Sequence, residues 1–244
     1  KLETVTFGDT VKTLTGVEYG SQYDGKYNDS TSDTSLSGSY GNALFYNCTS
    51  LKTINWGADI RTIGNIAFLG CTALEEVDIP DTVTSLGSHA FLWCSNLQKV
   101  TIGNKVPVVS RMAFRGLSNL TDVTFGSSLT TIGEYAFQGC ANLHNFTLPA
   151  KIQNLGFRCF ADCNRALTAV AIPTNADELE TVLGQGVFSG CSKLETVTFG
   201  DTLKTLTGVP FPSGDGRYYD HEDGALYDNY ANGLFCNCTS LKTI

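Results

Sequence analysis

Nine cysteines, three histidines and two acidic, tyrosine-rich stretches hold the reactive side chains of this chain. Seven of the cysteines (Cys48, Cys71, Cys94, Cys140, Cys163, Cys191 and Cys238) recur at one position of a sequence repeat. If the repeats stack, those side chains form a column about 4.8 Å apart. A disulfide needs Cβ atoms roughly 3.8 Å apart and a large torsion about the S–S bond, which parallel side chains in successive coils do not offer. Cysteine also behaves as a small buried hydrophobe, and Leu117 takes the same position once. The expectation is a column of reduced, buried thiols. Cys159 and Cys163 in a C-x3-C spacing, with Cys140 and Cys191 in the flanking turns, leave a zinc-type site as the alternative, although no CxxC pair or HxxxH assists it.

His89, His144 and His221 fall at unrelated repeat positions, with no serine or carboxylate at a matching recurrent offset. Nothing in their order points to a nucleophile triad, which assembles in space. No glycine-rich phosphate loop follows a strand. The reading is non-catalytic, with no metal and no cofactor.

The tyrosine-rich stretches are better placed for recognition. VEYGSQYDGKYNDSTSDTSLSGSYG falls within the insertion at residues 16–42, and VPFPSGDGRYYDHEDGALYDNYANG, from Val209, covers nearly all of the insertion at 208–232. They share D-G-(Lys/Arg)-Tyr-x-Asp, at Asp24 to Asp29 and at Asp215 to Asp220. Tyrosine among Gly, Ser and Asn is the composition of binding loops, because the ring supplies rigid amphipathic contact area at low entropy cost. The candidate contact residues are Tyr23, Asp24, Tyr27, Asp29, Asp215, Tyr218, Tyr219 and Asp220. The carboxylates offer Ca²⁺ binding as a second use, but neither stretch has the D-x-[DN]-x-[DN]-G spacing. Asn28 is the one N-x-[ST] asparagine inside an insertion, an acceptor only in a eukaryotic secretory pathway.

What must position these residues is a 23-residue period. LKTINWGADIRTIGNIAFLGCTA, LEEVDIPDTVTSLGSHAFLWCSN, LQKVTIGNKVPVVSRMAFRGLSN and LTDVTFGSSLTTIGEYAFQGCAN follow one another from Leu51, Leu74, Leu97 and Leu120. A fixed period in this range is the signature of a solenoid. One repeat alone cannot offset the conformational entropy of its own ordering, at about 1–2 kcal/mol per residue, so the turns must bury one another's faces. Within a turn, LxxVxI reads as a strand with Val123 and Phe125 inward and Asp122 and Thr124 outward. Pro80, Pro149, Pro173, Gly57, Gly126 or Gly200 then ends it. LTTIG (Leu129–Gly133) is a second short extended segment, and EYAFQGC predicts one helical turn with Phe137 and Cys140 inward.

A second level of repetition lies above the first. KLETVTFGDTVKTLTGV from Lys1 and KLETVTFGDTLKTLTGV from Lys193 differ only at Val11 against Leu203. The array therefore reads as a block of seven turns, 192 residues, that starts over, and as a window of a longer protein. Residues 1–244 form a single array, with eight turns, a fragment of a ninth, and the two insertions. The outward strand row of Thr6, Asn55, Asp78, Thr101, Thr124, Thr147, Ala171 and Thr198 reads as strand preference rather than an ice- or water-ordering ladder.

Composition excludes several classes. A net charge of −8 and a pI near 4.8 lack the clustered basic surface that nucleic acid needs. No stretch approaches the ~18 apolar residues of a membrane span.

The pattern LxxVxIPxxVxxIGxxAFxGCxx resembles the BspA-like, or Treponema-type, leucine-rich repeat, most closely from Leu74 and Leu120. It covers the chain outside the two insertions; Leu117 for Cys and Cys159 for Ala are departures. The resemblance implies a right-handed leucine-rich-repeat solenoid of the α/β repeat class, with a parallel sheet on one side and short helical turns. A parallel β-helix without helical turns is the alternative. The resemblance further implies a secreted or cell-surface protein that binds protein ligands, host extracellular matrix or surface proteins among them. A structural spacer or filament segment, with end-to-end or homotypic self-association, is the competing expectation.

Overall fold

The structure is a computed structural model. It describes residues 1–14, 44–175, 181–200 and 233–243, together with the backbone pairing of 218–219 with 226–227. The chain winds as a parallel β-solenoid. The first segment of each turn is a strand of two to four residues, as at Thr4–Thr6, Thr53–Asn55, Glu76–Asp78, Lys99–Thr101 and Asp122–Thr124. These strands pair in parallel with like on like: Val5 with Ile54, Val77 with Val100, Val100 with Val123, and Val170 with Val197. Alternation sets the inward residue, since successive Cβ atoms point to opposite faces. Val77 is buried between exposed neighbours, and Val100 between exposed Lys99 and half-buried Thr101.

The second segment is only two residues long, yet it builds the longest sheet. Seven strands, from Thr13–Leu14 through Thr131–Ile132 to Val182–Leu183, pair in sequence order, while the first segments divide into sheets of two, three and three strands. Parallel pairing thus occupies two sides of the solenoid, where one was expected.

The third side corrects the expectation of helical turns. Among the described residues there is no helix. In Glu134–Cys140 the amides of Ala136, Gln138 and Cys140 donate to carbonyls three residues back, on Gly133, Tyr135 and Phe137. The amides of Tyr135, Phe137 and Gly139 instead donate to Phe157, Cys159 and Ala161 of the next coil, at 2.8–2.9 Å. A helix would spend every amide within its own segment. Here alternate amides turn along the solenoid axis because two residues per coil, four apart, are left-handed: Ile66 and Gly70, His89 and Trp93, Met112 and Gly116, Tyr135 and Gly139, Arg158 and Asp162. A β-branched residue such as Ile66 (φ 52°) is unusual there, and repeated bonding to the next coil is what sustains it. The inward direction foreseen for Phe137 and Cys140 holds, since both are fully buried.

Glycines at the corner between the first and second segments serve close approach of successive coils. A Cβ on Gly103 would meet the Pro80 carbonyl, and one on Gly126 the Gly103 carbonyl. At the next corner a Cβ on Gly133 would lie 2.8 Å from the Arg111 amide nitrogen. None of these has positive φ, so spacing rather than turn conformation demands glycine.

The core is a ladder of rings. Phe45, Phe68, Phe91, Phe114, Phe137, Phe160, Phe188 and Phe235 stack face to face, with centroids 5.1–5.9 Å apart and planes within 13°. Around it lie the leucine, valine and isoleucine columns of the strands.

Candidate functional site on the third side

The cysteine column is structural. From Cys71 onward each thiol of the column donates to the carbonyl of the ladder phenylalanine one coil earlier: Cys71 to Phe45 at 3.1 Å, Cys94 to Phe68 at 3.2 Å, Cys140 to Phe114 at 3.3 Å, Cys163 to Phe137 at 3.5 Å, Cys191 to Phe160 at 3.1 Å and Cys238 to Phe188 at 2.9 Å. The thiol therefore supplies an axial bond that Leu117 forgoes. All nine cysteines are free. Burial pushes Cys71, Cys140 and Cys238 up to about 12 from the ordinary 9.0, and raises Cys94, Cys159 and Cys163 as well. For Cys191 the hydrogen bond with the Cys163 thiol acts first and burial second, both upward. Since the thiolate is the nucleophile and the metal ligand, these groups are inert near neutral pH. Among the described residues no three His, Cys, Asp or Glu side chains are grouped to hold a metal ion.

The histidines do not converge. His89 is buried on the third side at φ 59°. His144 is exposed on the strand side, with Nδ1 3.7 Å from an Asp122 carboxylate oxygen. His221 lies outside the described residues. On the threonine row Thr6, Thr124, Thr147 and Thr198 are exposed, while Thr101 is half-buried.

Of the candidate contact residues, Tyr23, Asp24, Tyr27, Asp29, Asp215 and Asp220 lie outside the described residues. Tyr218 and Tyr219 form a strand that pairs antiparallel with Leu226–Tyr227, placing Tyr218 opposite Tyr227 and Tyr219 opposite Leu226.

The structure adds a patch that the sequence reading passed over. Left-handed turns on the third side send the residue before the alanine, and the two after the phenylalanine, away from the core. Ile66, Leu69 and Leu92 make one small apolar cluster there, and Met112, Tyr135 and Phe157 another, both separate from the main core. The Tyr135 and Phe157 rings meet edge to face at 5.2 Å. The guanidinium carbons of Arg111 and Arg115 each stand 5.8 Å from the Tyr135 ring centroid, within cation–π range. Arg111 Nε is 3.5 Å from a Glu134 carboxylate oxygen. Arg115 Nε donates to Gln138 Oε1 at 2.9 Å, and Gln138 Nε2 donates to Asp162 Oδ2 at 3.4 Å. Next to this cluster Trp93 leans over Gly116, whose added Cβ would lie 3.5 Å from the indole Cδ1. Trp93 is 42% exposed and Tyr46, on the same side, 36%. A signal was available: in a regular helical turn the x of AFxGC faces solvent, yet three coils put Tyr46, Leu69 and Leu92 there.

The chain is described as far as Leu14, in the second segment, and again from Leu44, in the third-side turn.

No curated protein sequence matches the chain significantly. Among solved structures, a leucine-rich repeat protein of Treponema pallidum is similar, at 28% identity and a TM-score of 0.52 over 62% of this chain and 71% of that one. A leucine-rich repeat protein of Bacteroides ovatus matches at 20% identity and a TM-score of 0.46, covering 80% of this chain and 61% of that one. A leucine-rich cell surface protein of Faecalibacterium prausnitzii matches at 23% identity and a TM-score of 0.47, covering 82% and 74%. The profile of the BspA type leucine-rich repeat region matches residues 38–166 and 164–244, in six copies. With like residues stacked coil upon coil and the profile spanning most of its length, the chain belongs to the BspA-type leucine-rich repeat family.

Proposed function

We propose that this chain is a secreted or cell-surface binding module that attaches to a protein ligand, such as a host matrix or surface protein. Leucine-rich repeats of this family generally serve protein–protein contact. The observation that carries the reading here is the third side, where exposed Trp93 neighbours Arg115 and Tyr46 is exposed on the same side, in an array whose core is otherwise closed. Trp, Tyr and Arg are the residue types that dominate binding energy at interfaces. The outward strand row, by contrast, is threonine-rich and poor in such anchors. The insertions at 16–42 and 208–232 add Tyr27 and Tyr218 from the shared motif as contact residues. Free cysteines fit an oxidising exterior because most are buried, protonated and pinned to carbonyls.

The test is attachment of the whole chain to immobilised matrix proteins. Trimming either insertion, or changing Tyr27 and Tyr218 together to Ala, is expected to weaken attachment and leave the melting temperature nearly unchanged. Loss of attachment instead on substituting Thr101, Thr124 and Thr147 moves the site to the strand side and refutes the proposal. End-to-end association with no ligand bound favours a spacer.

A further inference from the structure

We propose that the third side between Trp93 and Arg111 is the docking site for an acidic segment of the protein partner. The segment sets carboxylates on Arg111 and Arg115 and an apolar side chain against the Trp93 indole. The inference rests on the partner-binding reading above and names the chemistry of the partner.

Charge distinguishes this side from the strand side. The chain carries a net charge of −8. The described outward strand row and its neighbours set Glu3, Glu75, Glu76, Asp78, Asp122 and Glu195 against Lys52, Lys99 and Lys242, six carboxylates to three lysines. The described third side reverses the balance: Arg111, Arg115 and Arg158 stand against Glu134 and Asp162. Complementary potentials steer a charged partner and reject the wrong face, so an acidic ligand is repelled from the strands and drawn to the turns.

Geometry makes the patch continuous. The Trp93 amide donates to the Arg115 carbonyl at 3.5 Å, placing the two in neighbouring coils, and the indole covers the glycine that follows Arg115. Tyr135 lies in the coil beyond, beneath both Arg111 and Arg115. Holding two guanidinium groups on one ring limits their freedom before binding, and each planar fork can donate two parallel N–H bonds to the two oxygens of one carboxylate. Gly116 matters to the same surface. A Cβ there would stand in ordinary contact with the indole, 3.5 Å from Cδ1, so the φ of +73° rather than lack of space calls for glycine.

The probe is a glutamate–tyrosine copolymer, with polyglutamate and polylysine as comparisons, read by titration calorimetry and tryptophan emission. Wild type is expected to bind the copolymer saturably, more tightly than polyglutamate, and to weaken at least several-fold between low and moderate salt, while polylysine, drawn to the acidic strand side, should leave Trp93 emission unchanged. Trp93 emission should change on binding, and Trp93→Phe should remove that change, because the other tryptophan, Trp56, packs against Phe7 and Phe68. Arg111→Gln with Arg115→Gln should weaken binding at least tenfold. If the double variant does not melt like wild type, Arg111→Gln alone replaces it, with an expected loss of about threefold or more. Undiminished affinity in a folded arginine variant, an equal Trp93 response to polylysine, or no saturable binding overturns the inference. If matrix proteins attach and Trp93→Ala abolishes attachment while the copolymer neither binds nor competes, the acidic-segment inference fails and the binding module stands. If the copolymer binds as described but no matrix or surface protein does, the inference survives and the choice of ligand in the proposed function fails.

Discussion

Replacing Phe137 with alanine tests the ring ladder. Phe137 is fully buried, stacks on Phe114 and Phe160 at 5.3 Å on either side, and receives the edge of Phe125 at 5.8 Å. Losing the transfer free energy of the ring costs about 1.5–3 kcal/mol. The cavity adds to this, because the rings above and below are held by coil-to-coil backbone bonds of the third-side turns, Phe114 to Ala136 and Phe160 to Val187, and cannot close the gap. The expected loss is about 3–5 kcal/mol. Phe235 supplies the internal comparison, being half-buried and stacked on Phe188 at 5.9 Å. Its change to alanine should cost less than half as much. Urea unfolding by circular dichroism measures both, and hydrogen exchange locates the damage. With nearest-neighbour coupling, exchange should quicken first in the coils of Phe114, Phe137 and Phe160. A loss below about 1 kcal/mol for Phe137→Ala, or equal losses for the two variants, would show that the ladder is not the core of this solenoid.

Three further predictions follow from other features. Far-UV circular dichroism of the whole chain should show β structure and little helix; a strong helical signal would contradict the turn geometry of the third side. The buried thiols should make the fold sensitive to alkali. With pKa values of about 12 in the fold against the ordinary 9.0, Cys71 and Cys140 keep their protons when the unfolded chain has lost them. Their stabilisation is complete below pH 9 and declines between pH 9 and 12, by about 1.4 kcal/mol per pH unit for each thiol. Cys140→Val should show a shallower decline in urea midpoints between pH 8.5 and 10.5, and an unchanged slope would refute the argument. Gly126→Ala, which drives a Cβ into the Gly103 carbonyl, should cost about 1–3 kcal/mol, whereas Gly8→Ala, with open space around it, should be neutral within about 0.5 kcal/mol. Similar losses at both sites in thermal melts would remove close coil approach as the reason for the corner glycines.

The sequence by itself determined the repeat, the strands and the core. Identical residues recurring every 23 positions leave one way to bury leucine, valine and phenylalanine, which is to stack like on like, and the Val77–Val100–Val123 register does this. It also determined that the cysteines stack, since a column needs only a shared repeat position. That each thiol would bond to a phenylalanine carbonyl one coil back was decided in space, because the partner lies 26 or more residues away. The third side was the place where local pattern misled. Phe137 and Cys140 at i, i+3 fit a helical turn, but the amides between them had an alternative the local sequence does not display: carbonyls of the next coil, offered once the coils stack. That tertiary bonding sustains left-handed residues such as Ile66 and Tyr135, turns Trp93 outward over Gly116, and gathers Arg111 and Arg115 on one ring. The candidate surface exists only because three coils meet there, so no single repeat, read alone, could announce it.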